Sequence, residues 1–128
     1  MAAKRDEGRH WLKRANNALS ASEALFSKEL FDDAISRAYY AMFYAAKALL
    51  IRDGFVSESK HSAVVSSFGR EYAKTGKIEP RYHQMLIESF EWRQKADYDV
   101  FWHADRQTAQ GCIEAARNFI SQVSKMFI

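Results

Sequence analysis

One stretch of this chain combines tyrosines with cations at a helical spacing. The residues recur at steps of three and four and form what we call the cationic stripe: Arg37, Tyr40, Tyr44 and Lys47. A helix would place all of them on one side. Aromatic rings stack on bases, and guanidinium or ammonium groups bind phosphates, so the stripe could face a nucleotide or RNA. Tyrosine and arginine are also enriched at protein interfaces, so a dimer contact is the alternative.

A second group that could do chemistry lies near the end of a predicted helix. Arg93 and Asp97 are four residues apart, so their side chains can meet on one helix face, and Tyr98 follows directly. One interpretation is an ordinary ion pair along the helix, worth about 0.3 to 0.5 kcal/mol when exposed. The other is that Asp97 aims Arg93 at a phosphate. The spacing is consistent with both.

Patterns for metal or nucleophilic chemistry are missing from the sequence. A di-iron bundle needs two Glu-x-x-His motifs, and the chain has one, at Glu7 to His10. Four scattered histidines and one cysteine make a poor zinc set, and no phosphate-cradling glycine loop is present. We therefore expect no metal and no cofactor. The single cysteine, Cys112, falls in a periodic helix pattern and is expected to be a small buried residue.

The sequence predicts an all-α fold, an up-and-down antiparallel bundle of about five helices. One proline and five glycines interrupt the chain, and β-branched runs of period two are absent. Short connections favour antiparallel neighbours. Asp32 is expected to cap the second helix and Pro80 to open the fourth. The expected spans are Lys4 to Ser27, Phe31 to about Asp53-Gly54, His61 to Lys74, Pro80 to Ala96 and Ala104 to Met126.

Apolar periodicity predicts the buried face of three of these helices. The second helix is apolar on more than one side, which indicates a position at the centre of a bundle or at a subunit contact. Its main stripe is Ile35, Ala38, Tyr39, Met42, Ala46, Leu49 and Leu50. The first helix offers Trp11, Ala15, Ala18, Ser22 and Leu25, and the last offers Thr108, Cys112, Ala116, Phe119, Val123 and Met126.

Length and charge set the remaining bounds. The 128 residues are expected to form one domain, 1–128. The net charge of +3 arises near the N-terminus, where the segment from Lys4 to Arg14 contains five basic residues and two acidic ones. This cluster is expected to be a solvated face. The longest apolar stretch, Ala38 to Ala46, has nine residues and is too short to span a bilayer. With no secretory pattern, a cytoplasmic protein without a membrane contact is expected.

Four blocks of residues follow one another along the chain. They are Asp33-Ala34 with Ser36 to Leu50, then Lys60-His61-Ser62, then Arg93 with Ala96-Asp97-Tyr98, and finally Ala115-Ala116-Arg117. In this order they closely resemble the HEPN domain family, in particular its branch of small stand-alone proteins. The resemblance covers about Trp11 to Val123. The resemblance implies a helical bundle that forms a homodimer. It also implies a role around nucleotides or RNA, often in a two-gene toxin–antitoxin-like module with a minimal nucleotidyltransferase.

The family's catalytic motif is incomplete in this sequence. Many HEPN proteins are metal-independent endoribonucleases in which four to six residues separate an arginine from a histidine. Counted from Arg93, those positions hold Tyr98, Asp99 and Val100. A missing general acid or base costs about 10² to 10⁴ in rate, so weak or absent ribonuclease activity is expected. In some members a tyrosine beyond the histidine accepts nucleotidyl groups; Tyr98 has that residue type but not that spacing.

Three hypotheses follow for function. The first is a nucleotide- or RNA-binding partner of a nucleotidyltransferase, with contacts from the cationic stripe, His61, Arg93 and Tyr98. The second is an active endoribonuclease toxin that uses Arg93 with a substitute acid or base, such as Asp97, Tyr98 or a folded-back His103. The third is a structural helical dimerisation module in which the tyrosines are buried.

Overall fold

The protein is a bundle of five α-helices. The computed structural model describes residues 2–55 and 60–127. Within those ranges it contains helices and short connections without strands, as the sequence predicts. The helices are α1, Ala2–Ser27; α2, Phe31–Arg52; α3, His61–Phe68, continued by a π-helical turn, Gly69–Ala73; α4, Pro80–Tyr98; and α5, Arg106–Lys125. None of the helices described is long and apolar enough to cross a bilayer.

Helix α2 forms the centre of the bundle because it packs against each of the other four helices. Its predicted apolar stripe is fully buried, and alanines on its other sides are buried as well, which lets neighbouring helices approach closely. The prediction of a central helix is therefore confirmed within a single chain. The buried alanines are Ala34, Ala41, Ala45 and Ala48.

The predicted core faces of α1 and α5 point into the same cluster. In α1 the buried residues of the stripe are Ala15, Ala18 and Ser22, and the Ser22 hydroxyl donates to the Ala34 carbonyl at 2.6 Å. In α5 the two end residues of the predicted stripe, Thr108 and Met126, are half-buried. The four residues between them in the stripe are buried: Cys112, Ala116, Phe119 and Val123. The larger α1 side chains, such as Trp11, are also only half-buried. The period of 3.6 residues thus locates the faces correctly.

The prediction that Asp32 caps α2 is wrong. Leu30 occupies the cap position and makes no side-chain capping bond. The Asp32 carboxylate instead accepts the backbone N–H of Ala104 at 2.7 Å and pairs with His103 at 3.1 Å. Asp32 therefore holds the α4–α5 connection against the start of α2, since a tertiary partner outcompetes the local amide. Its charge still lies in the first turn, where the helix dipole favours it.

The third predicted helix is interrupted by a π-helical turn. Residues beyond Phe68 follow a wider turn through Gly69–Ala73, where a plain α-helix was expected. Gly69 packs so close to α4 that an added Cβ would lie 2.3 Å from the His83 ring. The Tyr72 hydroxyl reaches α2, where it lies 2.9 Å from the Leu49 carbonyl and 2.6 Å from the Asp53 carboxylate. The turn therefore joins α2 and α4 with one glycine and one tyrosine.

Candidate functional site

Arg93 of α4 is held between two helices. Its Nη2 donates to the Tyr40 hydroxyl of α2 at 3.0 Å. Its Nε lies 2.8 Å from the Asp97 carboxylate without the alignment of a hydrogen bond, so the contact is an ion pair. Asp97 also accepts a hydrogen bond from Ser36 of α2. The Arg93 side chain is 13% exposed, so its guanidinium is fixed at the edge of the bundle rather than free in solvent.

Tyr40 lies between two arginines. The Arg37 guanidinium carbon is 4.5 Å from the centre of the Tyr40 ring, and that of Arg93 is 5.4 Å away. Arg37 makes no ion pair in the part of the chain that the structure describes. Two cations therefore share one aromatic ring, and Asp97 is the carboxylate that pairs with one of them, Arg93. Such a cluster favours an anion that can contact both guanidinium groups.

His61 joins the cluster from the first residue of α3. Its ring stacks on Phe43 with centres 4.2 Å apart and lies 5.5 Å from the rings of both Tyr39 and Tyr40. The family resemblance placed His61 among the candidates through the Lys60-His61-Ser62 block, although 32 positions separate it from Arg93 along the chain. The structure brings both to the same two tyrosines, because Arg93 lies 5.9 Å from Tyr39 and 5.4 Å from Tyr40.

His61 is hydrogen-bonded to Tyr39. The Tyr39 hydroxyl lies 2.7 Å from Nδ1 of His61, and burial raises the pKa of Tyr39 well above its usual value, so the hydroxyl keeps its proton. The hydroxyl donates to Nδ1 when the imidazole proton is on Nε2, and it accepts from Nδ1–H in the other tautomer. Burial, with the charges of Arg93 and Lys47, lowers the pKa of His61 below its ordinary value. The neutral form of the imidazole is therefore favoured at neutral pH.

The other end of the cationic stripe packs against α1. Nζ of Lys47 lies 4.0 Å from the centre of the Trp11 ring. The centres of the Trp11 and Tyr44 rings are 5.5 Å apart. The Arg14 guanidinium contacts both rings, at 4.7 Å from Trp11 and 4.9 Å from Tyr44. Lys47 is only 7% exposed, and burial, followed by the charge of Arg14, lowers its pKa. The tyrosines Tyr40 and Tyr44 link the two ends, with ring centres 5.8 Å apart.

Sequence reasoning missed three members of this site: Trp11, Arg14 and Ser36. Trp11 was assigned to the core stripe of α1, and Arg14 to the solvated N-terminal cluster. Their spacing of three residues was the available signal, because it places a cation and an aromatic ring on the same helix face. Ser36 gave no signal, since its partner Asp97 is 61 positions away.

Of the proposed substitutes for the missing histidine, Tyr98 lies at the margin of the site and His103 pairs with a residue elsewhere. Tyr98 is 68% exposed, with its ring 5.6 Å from the Arg93 guanidinium carbon. His103 does not fold back onto Arg93 in the described ranges; it pairs with Asp32 at the start of α2. Only Asp97 of the three touches Arg93 directly, and it does so as an ion-pair partner.

A separate cavity of about 310 Å³ lies between α4 and α5 and contains none of the predicted site residues. Ser89 and Cys112 line it, and the buried Ser89 hydroxyl has no hydrogen-bond partner among the described residues. Burial raises the pKa of the Cys112 thiol to about 11, which agrees with the prediction of an unreactive buried cysteine. No group of three metal-ligating side chains occurs in residues 2–55 and 60–127.

The fold and the site define a class of protein: a five-helix bundle with a basic, aromatic cluster along its central helix. The HEPN domain family model matches residues 9–126, so the chain belongs to the HEPN domain family. The predicted family resemblance is confirmed.

Three relatives are similar over most of their own length. One, from Methanocaldococcus jannaschii and named "Putative toxin MJ0142", is 33% identical over 91% of this chain and 79% of its own. A second protein of that organism, "Putative toxin MJ0605", is 35% identical over 94% of this chain and 89% of its own. A "UPF0332 protein" of Thermotoga maritima is 33% identical over 91% of this chain and 88% of its own.

Proposed function

We propose that this protein is the nucleotide- or RNA-binding component of a toxin–antitoxin-like pair, with weak or no ribonuclease activity of its own. The observation that carries the proposal is the fixed Arg93 guanidinium, which shares the Tyr40 ring with Arg37. A phosphate bound there would contact two guanidinium groups whose positions are already set.

The hydrogen bonds of Arg93 leave room for such a ligand. Its Nη2 donates to Tyr40, whereas Nε contacts Asp97 as an ion pair without a hydrogen bond, and Nη1 makes no hydrogen bond within the described part of the chain. The neighbouring Arg37 has no carboxylate partner there either. A phosphate needs donors that are not already engaged, and two adjacent guanidinium groups supply them.

Weak catalysis is the expected consequence of the state of His61. Cleavage of RNA needs a group that removes the proton of the 2′-hydroxyl and another that protonates the leaving 5′-oxygen. In the tautomer in which the Tyr39 hydroxyl donates to Nδ1, Nε2 carries the imidazole proton, so it can donate a hydrogen bond to a phosphate oxygen but cannot accept a proton. We propose that this tautomer prevails, which favours binding over cleavage.

The relatives support the genetic setting of the proposal. Two of them are named as putative toxins, and the family resemblance adds a nucleotidyltransferase as the partner and a homodimer as the working state. Exposed apolar side chains around the α4–α5 connection support a protein contact: Val100 is 76% exposed and Phe101 is 94% exposed. Tyr98 stands beside them, so modification of its hydroxyl by the partner would occur at the rim of the Arg93 site.

The first test is titration of the purified protein with AMP, ATP and a short single-stranded RNA by calorimetry and thermal shift. Ligands that bind the native state raise its melting temperature. We expect binding by the native protein and its loss in Arg93→Ala. Arg81→Ala is the matched control, because Arg81 lies on the same helix but pairs with Glu79 at its surface. Absence of binding to the native protein would overturn the proposal in favour of a structural dimerisation module.

One observation favours a second function, that of a metal-independent endoribonuclease. His61 and Arg93 flank the same two tyrosines, so a phosphate between them would meet both an imidazole and a guanidinium. If Tyr39 turned away from Nδ1, the imidazole could exchange protons with the RNA. The test is cleavage of labelled RNA in the presence of a chelator, with His61→Ala and Arg93→Ala as the variants that must both abolish it.

A further inference from the structure

We propose that Arg14 and Lys47 form a second phosphate subsite, so that the protein binds a single-stranded RNA segment of several nucleotides rather than a lone mononucleotide. We call this group, together with the rings of Trp11 and Tyr44, the distal subsite. The inference rests on the proposed function, because it takes the Arg37–Arg93 cluster as the first phosphate contact.

The cations of the distal subsite lack carboxylate partners. Neither Arg14 nor Lys47 forms an ion pair among the residues that the structure describes. Seven arginines elsewhere do, and these are Arg9, Arg52, Arg70, Arg81, Arg93, Arg106 and Arg117. Arg14 and Lys47 instead lie over the Trp11 ring, at 4.7 and 4.0 Å. Arg14 is thus one of three arginines, with Arg5 and Arg37, that form no ion pair among the described residues.

The burial of Lys47 strengthens the case for an anionic ligand. Lys47 as a whole is only 7% exposed, and its Nζ makes no hydrogen bond or ion pair among the described residues. A partly desolvated ammonium group gains from a counter-charge. The charge of Arg14 lowers the pKa of Lys47, and the charge of Glu7 raises it by a smaller amount. A phosphate oxygen at this point would satisfy the ammonium group and the guanidinium of Arg14 together.

The two subsites form one continuous track along α2. Arg37 and Lys47 are ten residues apart, which is about 15 Å along a helix. The half-buried rings of Tyr40 and Tyr44 lie between them, 5.8 Å apart. Stacked nucleotides are spaced by about 3.4 Å, so roughly four of them span the track, whereas a mononucleotide reaches one end only. Aromatic rings between cations are the usual arrangement for single-stranded nucleic acid.

The experiment compares affinities for AMP and for an unstructured RNA pentanucleotide in four proteins: the native chain, Arg93→Ala, Arg14→Gln and Lys13→Gln. Lys13 is the matched control, because it is exposed, adjacent on α1 and carries the same charge. We expect Arg14→Gln to weaken pentanucleotide binding about 5- to 10-fold and to lower the salt dependence by about one charge. AMP binding is expected to stay unchanged, and Lys13→Gln to alter either affinity less than twofold.

Three other results would overturn the inference. If Arg14→Gln and Lys13→Gln behave alike while Arg93→Ala loses both ligands, the distal subsite is absent and the proposed function stands. If Arg14→Gln weakens AMP as much as the pentanucleotide, the two clusters are one site for a single phosphate. If the native protein binds neither ligand, the proposed function fails together with the inference. Lys47→Met, with its fold verified by circular dichroism, is expected to reproduce the effect of Arg14→Gln.

Discussion

Replacing Asp97 tests whether this carboxylate positions Arg93 or simply adds negative charge beside it. Asp97 pairs with Arg93 and accepts from Ser36, so Asp97→Ala removes an ion pair within α4 and a hydrogen bond between α4 and α2. The ion pair is partly exposed, at 30% for the Asp97 side chain, and is worth about 0.5 kcal/mol. The hydrogen bond to a charged acceptor adds about 1 kcal/mol. We expect a loss of about 1 to 2 kcal/mol in the free energy of unfolding, measured with urea.

Ligand affinity separates the two roles more clearly. Asp97→Ala and Asp99→Ala each make the protein more positive by one charge, but the Asp99 carboxylate accepts only the Phe101 amide in the described ranges. Charge alone would make both variants bind RNA slightly more tightly. Positioning predicts that Asp97→Ala binds about 5- to 10-fold more weakly, because Arg93 must be ordered on binding. Equal, slightly increased affinity in both variants would refute the positioning role.

Further predictions concern stability and reactivity. The pKa of His61 is lowered in the folded state, so its neutral form contributes stability above about pH 6.5, the unfolded-state pKa. This contribution is lost as pH falls toward the folded-state pKa. The unfolding free energy of the native protein should therefore fall relative to that of His61→Gln between about pH 7 and 5. Gly111→Ala, with open space around its Cβ, should stabilise the protein by about 0.5 to 1 kcal/mol in urea unfolding. Gly8→Ala should destabilise it by about 1 to 2 kcal/mol in the same assay, because its Cβ would lie 2.9 Å from the Ala48 carbonyl oxygen. Cys112, with its raised pKa, should react with iodoacetamide at pH 8 only on the timescale of unfolding, as followed by mass spectrometry.

The helices were predictable because the information lies within each segment. Apolar periodicity identified the stripe of α2 from Ile35 to Leu50, and all of it is buried. Pro80 and Gly54 marked helix ends through backbone chemistry alone, and Gly54 has the positive φ of 76° that favours glycine. The prediction that Asp32 caps α2 failed for the opposite reason. Its best partner is the Ala104 amide, 72 positions away, and local capping rules contain nothing about such a partner.

The site was predictable only where its members share a helix. Arg37, Tyr40, Tyr44 and Lys47 are linked by helical spacing, as are Arg93 and Asp97, and both groups could be found in the sequence. The approach of His61 to Tyr39 depends on how α3 packs across α2, and no short-range pattern encodes that angle. The same limit hid the π-helical turn, in which Gly69 packs against His83 of α4.

The central place of α2 has a consequence for the dynamics of ligand recognition. Since α2 packs against α1, α3, α4 and α5, we expect its amide hydrogens to exchange with solvent only when the whole bundle opens. The cationic stripe would then lie on the slowest-exchanging helix. On adding RNA, we expect hydrogen exchange to change at the Arg93 end of α4 and along α1, and to stay at the global limit in α2. Ligand binding would then order the side chains that flank α2, while the helix itself is already rigid.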